Sequence, residues 1–304
     1  MKLEKRLTLL VAGGLLAAAC TTTAATTTEE ETAVEQTAPE VVEAHAELSA
    51  EEVIRRAVAG EHRTAENRAR DAFRHPAETL SFFGLEPTMT VVELSPGMGW
   101  YTEILAPVLR DEGKLVIGHV QTTDPEAYAF RLVAGMNLLF EAHPQIFDRV
   151  EVGTFMLPDN INLGEAGSAD MVLTFRSTHG WVNNATTAKA FGAAFEVLKP
   201  GGVLGLVQHR ADAEVADVAE SSKKGYLPEK YVIELAQAAG FELVERSDIN
   251  ANPRDNRDHP DGVWSLLPSL RNVEESNREQ YVAIGESDRM TLKFRKPGEQ
   301  ASAE

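Results

Sequence analysis

The sequence predicts an α/β fold built on a mostly parallel sheet. Between residues 89 and 295, seven apolar, largely β-branched runs alternate with segments of helical period. Strands separated by helices are joined as parallel neighbours by right-handed crossovers. A glycine turn, Ser-Pro-Gly-Met-Gly at residues 95–99, lies between the first run and the first helix. Because ligands of open α/β sheets bind at the carboxyl ends of the strands, this turn marks the expected ligand site.

Each predicted strand is a short apolar run bounded by turn residues. The strands are Met89–Leu94, Lys114–Val120, Val150–Phe155, Ala169–Phe175, Gly202–His209, Phe241–Ile249 and Met290–Arg295. The helices predicted between them are Trp100–Arg110, Pro125–Ala142, Ala185–Leu198 and Glu229–Ala239. This order predicts helices on both faces of the sheet.

Two regions extend the alternating part of a domain expected to span residues 49–297. Before the first strand, residues 49–52 have the spacing of a capping box, and helical stretches follow at 64–73 and 76–84. After Ile249, about forty residues show no clear helix. A long irregular segment in a compact domain is usually a functional lid or disordered, and Trp264 with three leucines favours a lid at residues 250–288.

The first 48 residues predict export. A basic start is followed by an apolar run at 7–19, which together indicate a signal peptide at residues 1–19. Leu16-Ala-Ala-Ala-Cys20 resembles a bacterial lipoprotein box, so Cys20 is the expected lipidation site, with a soluble periplasmic protein as the alternative. Residues 20–48 are rich in Thr, Ala and Glu and are expected to form a disordered tether; residues 298–304 are expected to form a disordered tail.

The net charge of −18 argues against nucleic acid as a partner, because no basic field attracts phosphate. Small-molecule substrates are therefore the expected partners, with the membrane contacted through the lipid anchor. Cys20 is the sole cysteine, so an intrachain disulfide is excluded. The sequence does not indicate the oligomeric state.

Further motifs occur in a fixed order along the chain, at residues 74–80, 93–102, 105–107, 170–181, 198–202, 252–264 and 285–297. They resemble the class I S-adenosylmethionine-dependent methyltransferases, most closely a bacterial group of predicted, mostly exported members. The resemblance covers about residues 60–297. It implies a Rossmann-like sheet with an antiparallel last strand, S-adenosylmethionine as cofactor and an unknown small-molecule methyl acceptor.

The resemblance implies a set of cofactor-binding residues around the glycine turn: Glu93, Pro96, Gly97, Gly99 and Tyr101. The two glycines would contact the methionine part of the cofactor, and the acid its charged or ribose end. Two acids usual in this family are missing, one after the second strand and one after the third. His119 is the expected substitute at the ribose, and Thr154 or Asp159 at the adenine.

Catalytic candidates follow the fourth and fifth strands: Arg176, His179, Trp181 and His209. His179 is a candidate general base, since an imidazole titrates near neutrality. Trp181 is expected to shape an apolar pocket or face the sulfonium. The alternative is that these side chains only pack their loops or pair with acids. A polar loop at residues 255–261 holds three acids and a histidine, but its spacing fits no defined metal site, and no metal is predicted.

Two other functions remain open. An exported copy of the fold could serve as a non-catalytic ligand-binding module, because the cofactor is made in the cytoplasm. An NAD(P)-dependent oxidoreductase fits less well, since Thr102 occupies the third glycine position of the dinucleotide motif.

Overall fold

The computed structural model describes residues 48–298. The predicted signal peptide, Cys20, the tether up to residue 47 and the tail from residue 299 lie outside the described residues. None of the helices within residues 48–298 combines the length and the apolar character of a membrane span.

One sheet organises the described residues. Its strands are β1 (Thr90–Leu94), β2 (Lys114–His119), β3 (Glu151–Met156), β4 (Asn160–Asn162), β5 (Ala169–Phe175), β6 (Leu198–His209), β7 (Glu242–Ser247) and β8 (Arg289–Arg295). Their order in the sheet is β4-β3-β2-β1-β5-β6-β8-β7. Strands β4 and β8 are antiparallel to their neighbours, and the other six share one direction. The predicted fold class and its antiparallel last strand are confirmed, whereas the edge strand β4 was not predicted.

The helices of residues 48–298 flank this sheet. They are α1 (Ala50–Val58), α2 (Ala65–Ala69), α3 (Asp71–Arg74), α4 (Pro76–Phe83), α5 (Thr102–Leu109), α6 (Tyr128–Ala142), α7 (Pro144–Phe147), α8 (Thr178–Asn183), α9 (Thr187–Val197), α10 (Val218–Lys223), α11 (Glu229–Ala238) and α12 (Arg278–Ile284). One half of the predicted capping box is present: the Ser49 side chain accepts a hydrogen bond from the Glu52 amide at the start of α1, while the Glu52 carboxylate accepts from Arg56. The stretch 64–73, predicted as one helix, is divided into α2 and α3, which meet at Arg70.

Alternate residues of the strands enter two separate cores. Val91 and Met171 face one layer, where they pack with α1, α4 and α5. Val92 and Val172 face the opposite layer, where they pack with α9 and α11. This period of two is the reason why each central strand reads as a continuous apolar run: both of its faces are buried.

The segment 250–288 is more ordered than expected. The expectation that it holds no helix is wrong, because α12 and two short 3-10 turns lie within it. Its first residues are fixed by buried hydrogen bonds: Asn250 donates to Thr79 and Thr291, and Asp255 accepts from the Tyr226 hydroxyl. These contacts tie the segment to the domain at several points.

Candidate active site

A cavity of about 1190 Å³ opens at the carboxyl ends of β1, β2, β3 and β5. It exceeds the ~300–1,000 Å³ of most ligand pockets, so it has room for more than one small molecule. Eight of the twelve predicted site residues line it: Glu93, Pro96, Gly97, Tyr101, His119, Arg176, His179 and Trp181. A smaller groove of about 410 Å³ adjoins it and shares His119. No residue of 250–288 lines the large cavity, so the predicted lid borders it only indirectly, through Trp264 against His179.

The glycine turn forms the cavity floor. Ser95, Gly97 and Gly99 all have positive φ, at 54°, 64° and 90°, and bend the chain from β1 into α5. A Cβ atom added at Gly97 would meet nothing within 4 Å, whereas one at Gly99 would lie 2.6 Å from the Leu139 side chain. Gly97 therefore leaves space open above the turn, while Gly99 allows close packing against α6.

Glu93 is a buried carboxyl group beside this turn. Its side chain is fully enclosed, and Thr102 Oγ1 donates a hydrogen bond to its Oε2 at 2.7 Å. Burial raises the pKa of Glu93 to about 7, against the opposing effect of the Thr102 hydrogen bond. Near neutral pH this group therefore gains or loses its charge easily, and a nearby cation would favour the ionised form.

His119, the expected substitute for a missing acid at the ribose, ends β2. Its Nδ1 lies 2.8 Å from the Val120 carbonyl oxygen and its Nε2 3.0 Å from that of Gly97. Both partners are acceptors, and a neutral imidazole carries one N–H, so only one of these contacts is then a hydrogen bond. The ring ties the glycine turn to β2 and lines the cavity at the same time.

The structure does not bring Thr154 and Asp159 into the cavity. Thr154 pairs within the sheet between His119 and Asn162, and Asp159 lies in the β3–β4 hairpin with its side chain 82% exposed. The wall at this point is apolar instead, made by residues 155–158. Trp181 packs edge-on against Phe155, with ring centroids 5.9 Å apart. An apolar slot of this kind suits a flat aromatic ring.

Arg176 and His179 follow β5 on the opposite side of the turn from His119. Arg176 has a φ of 61°, held by the hydrogen bond from its amide to the Val207 carbonyl oxygen. The Gln208 side-chain amide donates to Nδ1 of His179 at 3.4 Å. Burial, helped by the charge of Arg176, lowers the pKa of His179 to about 4. The imidazole is therefore neutral at physiological pH and a weak base.

His209 lies outside the cavity. It is buried, and its Nδ1 is 2.5 Å from Ser287 Oγ, so its hydrogen bonding is directed toward the segment before β8. Burial and nearby arginines lower its pKa well below the usual range. The centroid of its ring is 5.7 Å from that of the His179 ring. The His179 side chain lines the cavity and His209 does not.

Sequence reasoning missed the wall formed by the N-terminal extension. Asn67, Arg70 and Arg74 line the cavity beside Trp100 and Tyr101. The Arg74 guanidinium carbon lies 4.5 Å from the Trp100 ring centroid, a cation–π contact. Arg74 belongs to the motif at 74–80, which was a usable signal; Arg70 lies in a charged stretch that is typical of a solvated surface.

Arg70, Arg74 and Arg176, here called the arginine wall, share their environment with Arg289 and with the acid Glu286. Glu286 contacts Arg70 Nε at 2.6 Å, Arg74 Nε at 3.0 Å and Arg289 Nη1 at 3.2 Å. Burial alone would raise the pKa of Glu286, but the arginines overcome it and hold the pKa at about 2. Glu286 is thus a permanent counter-charge behind the wall.

Comparison with known proteins identifies the fold. No protein-family model and no curated protein matches the sequence. A SAM-dependent methyltransferase from Aquifex aeolicus is similar over 76% of this chain and 94% of its own, with 15% identity and a TM-score of 0.51. The fold is that of the class I methyltransferases.

Two further structures share this methyltransferase fold. The geranyl diphosphate methyltransferase in complex with SAM matches at 13% identity, 80% and 94% coverage and a TM-score of 0.51. The [4+2]-cyclase SpnF matches at 17% identity, 82% and 97% coverage and a TM-score of 0.52. Since one of these proteins is named a cyclase, the methyltransferase fold alone does not define the reaction.

Proposed function

We propose that the protein binds S-adenosylmethionine over the glycine turn and transfers its methyl group to a small-molecule acceptor in the same cavity. The observation that carries the proposal is the open space above Gly97, next to the buried carboxyl group of Glu93. One protein of the same fold was solved with SAM bound, which supports the choice of cofactor.

When bound, S-adenosylmethionine would supply an electrophilic methyl carbon; an acceptor lone pair would bond to it as the carbon–sulfur bond breaks and its electrons stay on sulfur. This reaction depends mainly on alignment of the reactants and exclusion of water. Gly97 admits a ligand close to the backbone, and Glu93 ionises beside a cationic group. The apolar wall at residues 155–158, closed by Trp181, receives a flat base.

Calorimetric titration with S-adenosylmethionine and S-adenosylhomocysteine tests this proposal. Gly97→Ala is expected to weaken binding roughly 10-fold or more, because the added methyl group occupies ligand space and touches no protein atom. Gly167→Ala is the matched control: its φ of 68° carries the same backbone strain, and its added methyl also meets nothing within 4 Å. Absence of binding to the unaltered protein at millimolar ligand would overturn the proposal.

The second candidate is a non-catalytic ligand-binding module. The observation that favours it is the pKa of His179, about 4, since general bases work best when their pKa lies near the working pH. Release of S-adenosylhomocysteine with an added acceptor would establish the enzyme. Binding of both cofactor forms without turnover over a panel of acceptors would favour the module.

An NAD(P)-dependent oxidoreductase is the third hypothesis. Thr102 stands at the third glycine position of the dinucleotide motif, and its hydroxyl holds Glu93 instead of allowing a glycine contact between helix and strand. Titration with NADH and NADPH separates the hypotheses. Binding of either nucleotide, with no binding of S-adenosylmethionine, would support the oxidoreductase.

Export and lipid anchoring through Cys20, with the folded domain facing the periplasm, are also part of our proposal; a soluble periplasmic protein is the alternative. The support is the sequence of residues 1–47 alone. Cys20→Ser is expected to move the protein from the membrane fraction to the soluble fraction. Retention of this variant at the membrane would contradict the anchor.

A further inference from the structure

We propose that the arginine wall is an anion-binding subsite and that it holds a carboxylate or phosphate group of the methyl acceptor. The inference that this anion belongs to an acceptor rests on the proposed function. The subsite itself does not, and it is tested separately below.

Two guanidinium groups of the wall have N–H donors that make no hydrogen bond within residues 48–298. Arg74 is 4% exposed and lines the cavity, yet its Nη2 has no hydrogen-bond partner among the described residues. Within residues 48–298, the Arg176 guanidinium makes neither a hydrogen bond nor an ion pair, and burial with three neighbouring arginines lowers its pKa well below the usual range. The unpaired Arg74 donor is buried, which is costly without an acceptor, whereas the partly exposed Arg176 guanidinium opens onto the cavity. Both groups are therefore arranged for a ligand that supplies oxygen atoms.

The charge balance also indicates an anion. Arg70, Arg74, Arg176 and Arg289 meet at one place, and the carboxylate that contacts three of them is Glu286. Such an excess of positive charge is not a result of composition, because the whole chain has a net charge of −18. Guanidinium groups bind carboxylate and phosphate oxygens in a planar, two-bond geometry.

The acceptor is a better source of this anion than the cofactor. S-adenosylmethionine carries one carboxylate but also an ammonium and a sulfonium, and these two positive charges weaken its attraction to an arginine-rich wall. The volume of about 1190 Å³ leaves room beside it for a second molecule. A negatively charged acceptor would offset both the arginines and the sulfonium.

Titration of the purified full-length protein with inorganic phosphate and with succinate tests the subsite. The unaltered protein is expected to bind at least one of the two anions, and Arg176→Gln to weaken that binding by ~10-fold or more. Arg176→Lys keeps the positive charge but loses the planar guanidinium that makes two hydrogen bonds to one anion. Its affinity for the anion is expected to lie between those of the unaltered protein and Arg176→Gln. Arg246→Gln is the matched control, since this arginine is exposed on β7. Failure of both anions to bind, or equal binding by Arg176→Gln, would overturn the subsite.

A second titration identifies the source of the anion. S-adenosylhomocysteine has the amino-acid carboxylate, and 5′-methylthioadenosine lacks it. If Arg176→Gln binds each nucleoside as tightly as the unaltered protein does, the wall does not hold the cofactor carboxylate, and the acceptor is supported as the source of the anion. Selective loss of S-adenosylhomocysteine would assign the wall to the cofactor and overturn the acceptor claim. If neither nucleoside binds while phosphate does, the proposed function and with it the acceptor claim fail, and the anion subsite stands.

Discussion

The two sides of the cavity are built in opposite ways. The turn side comes from consecutive residues: Glu93 at the end of β1, the glycines that follow and Thr102 at the start of α5. The arginine side is assembled from α2–α3, the loop after β5 and the start of β8. The turn side has an internal partner for its buried acid, whereas the arginine side has more cations than acceptors. The first side is a local motif, and the second depends on the whole fold.

Removing the acid of the arginine side is expected to give the largest effect on stability. Glu286→Gln leaves four clustered guanidinium groups without their counter-charge, and we expect unfolding to become easier by about 3–5 kcal/mol. Chemical denaturation at neutral pH measures this change. Glu51→Gln, which breaks an exposed pair with Arg55, is the control and is expected to cost less than about 1 kcal/mol. Similar losses for both variants would show that the wall needs no buried counter-charge.

The acid of the turn side, Glu93, is expected to have the opposite effect on the pH dependence of stability, because its pKa is raised whereas that of Glu286 is lowered. Because the pKa of Glu93 is raised from 4.5 to about 7 on folding, the folded state holds the proton more tightly. The tighter proton binding by Glu93 stabilises the folded state fully below the pKa that this group has in the unfolded chain. This stabilisation is lost as the pH rises through the pKa of Glu93 in the folded protein. The total is about 3 kcal/mol. Glu93→Gln is expected to remove this decline, which denaturation at a series of pH values measures; an unchanged pH profile would be inconsistent with the raised pKa.

A smaller effect on stability is expected from Arg176→Gln, the variant that weakens anion binding. Arg176→Gln removes a desolvated charge that other arginines repel, so the protein without ligand is expected to gain about 1 kcal/mol of stability. The melting temperature would rise for Arg176→Gln and stay unchanged for Arg246→Gln. A fall in the melting temperature of Arg176→Gln would mean that its guanidinium stabilises the fold itself.

The same contrast explains what could be predicted from the sequence. Strand periodicity and the spacing of residues 93–99 encode local geometry, so the sheet and the turn side were found. The expectation for Thr154 and Asp159 rests on the family resemblance alone, and the hairpin to β4 turns both away from the cavity. Arg70 resembles any solvated arginine until the fold brings Glu286 against it. A local sequence pattern does not predict a contact such as that of Arg70 with Glu286, because the two residues are 216 positions apart.

The Glu286 contacts also have a consequence for how the chain is made. They span 216 positions to Arg70 and 212 to Arg74. During synthesis from the N-terminus, these arginines emerge long before their shared carboxylate, and β8 is the last strand to arrive. The arginine wall can therefore gain its counter-charge only after nearly the whole domain has left the ribosome. A prematurely terminated chain is expected to lack the proposed anion binding even where its glycine turn has folded.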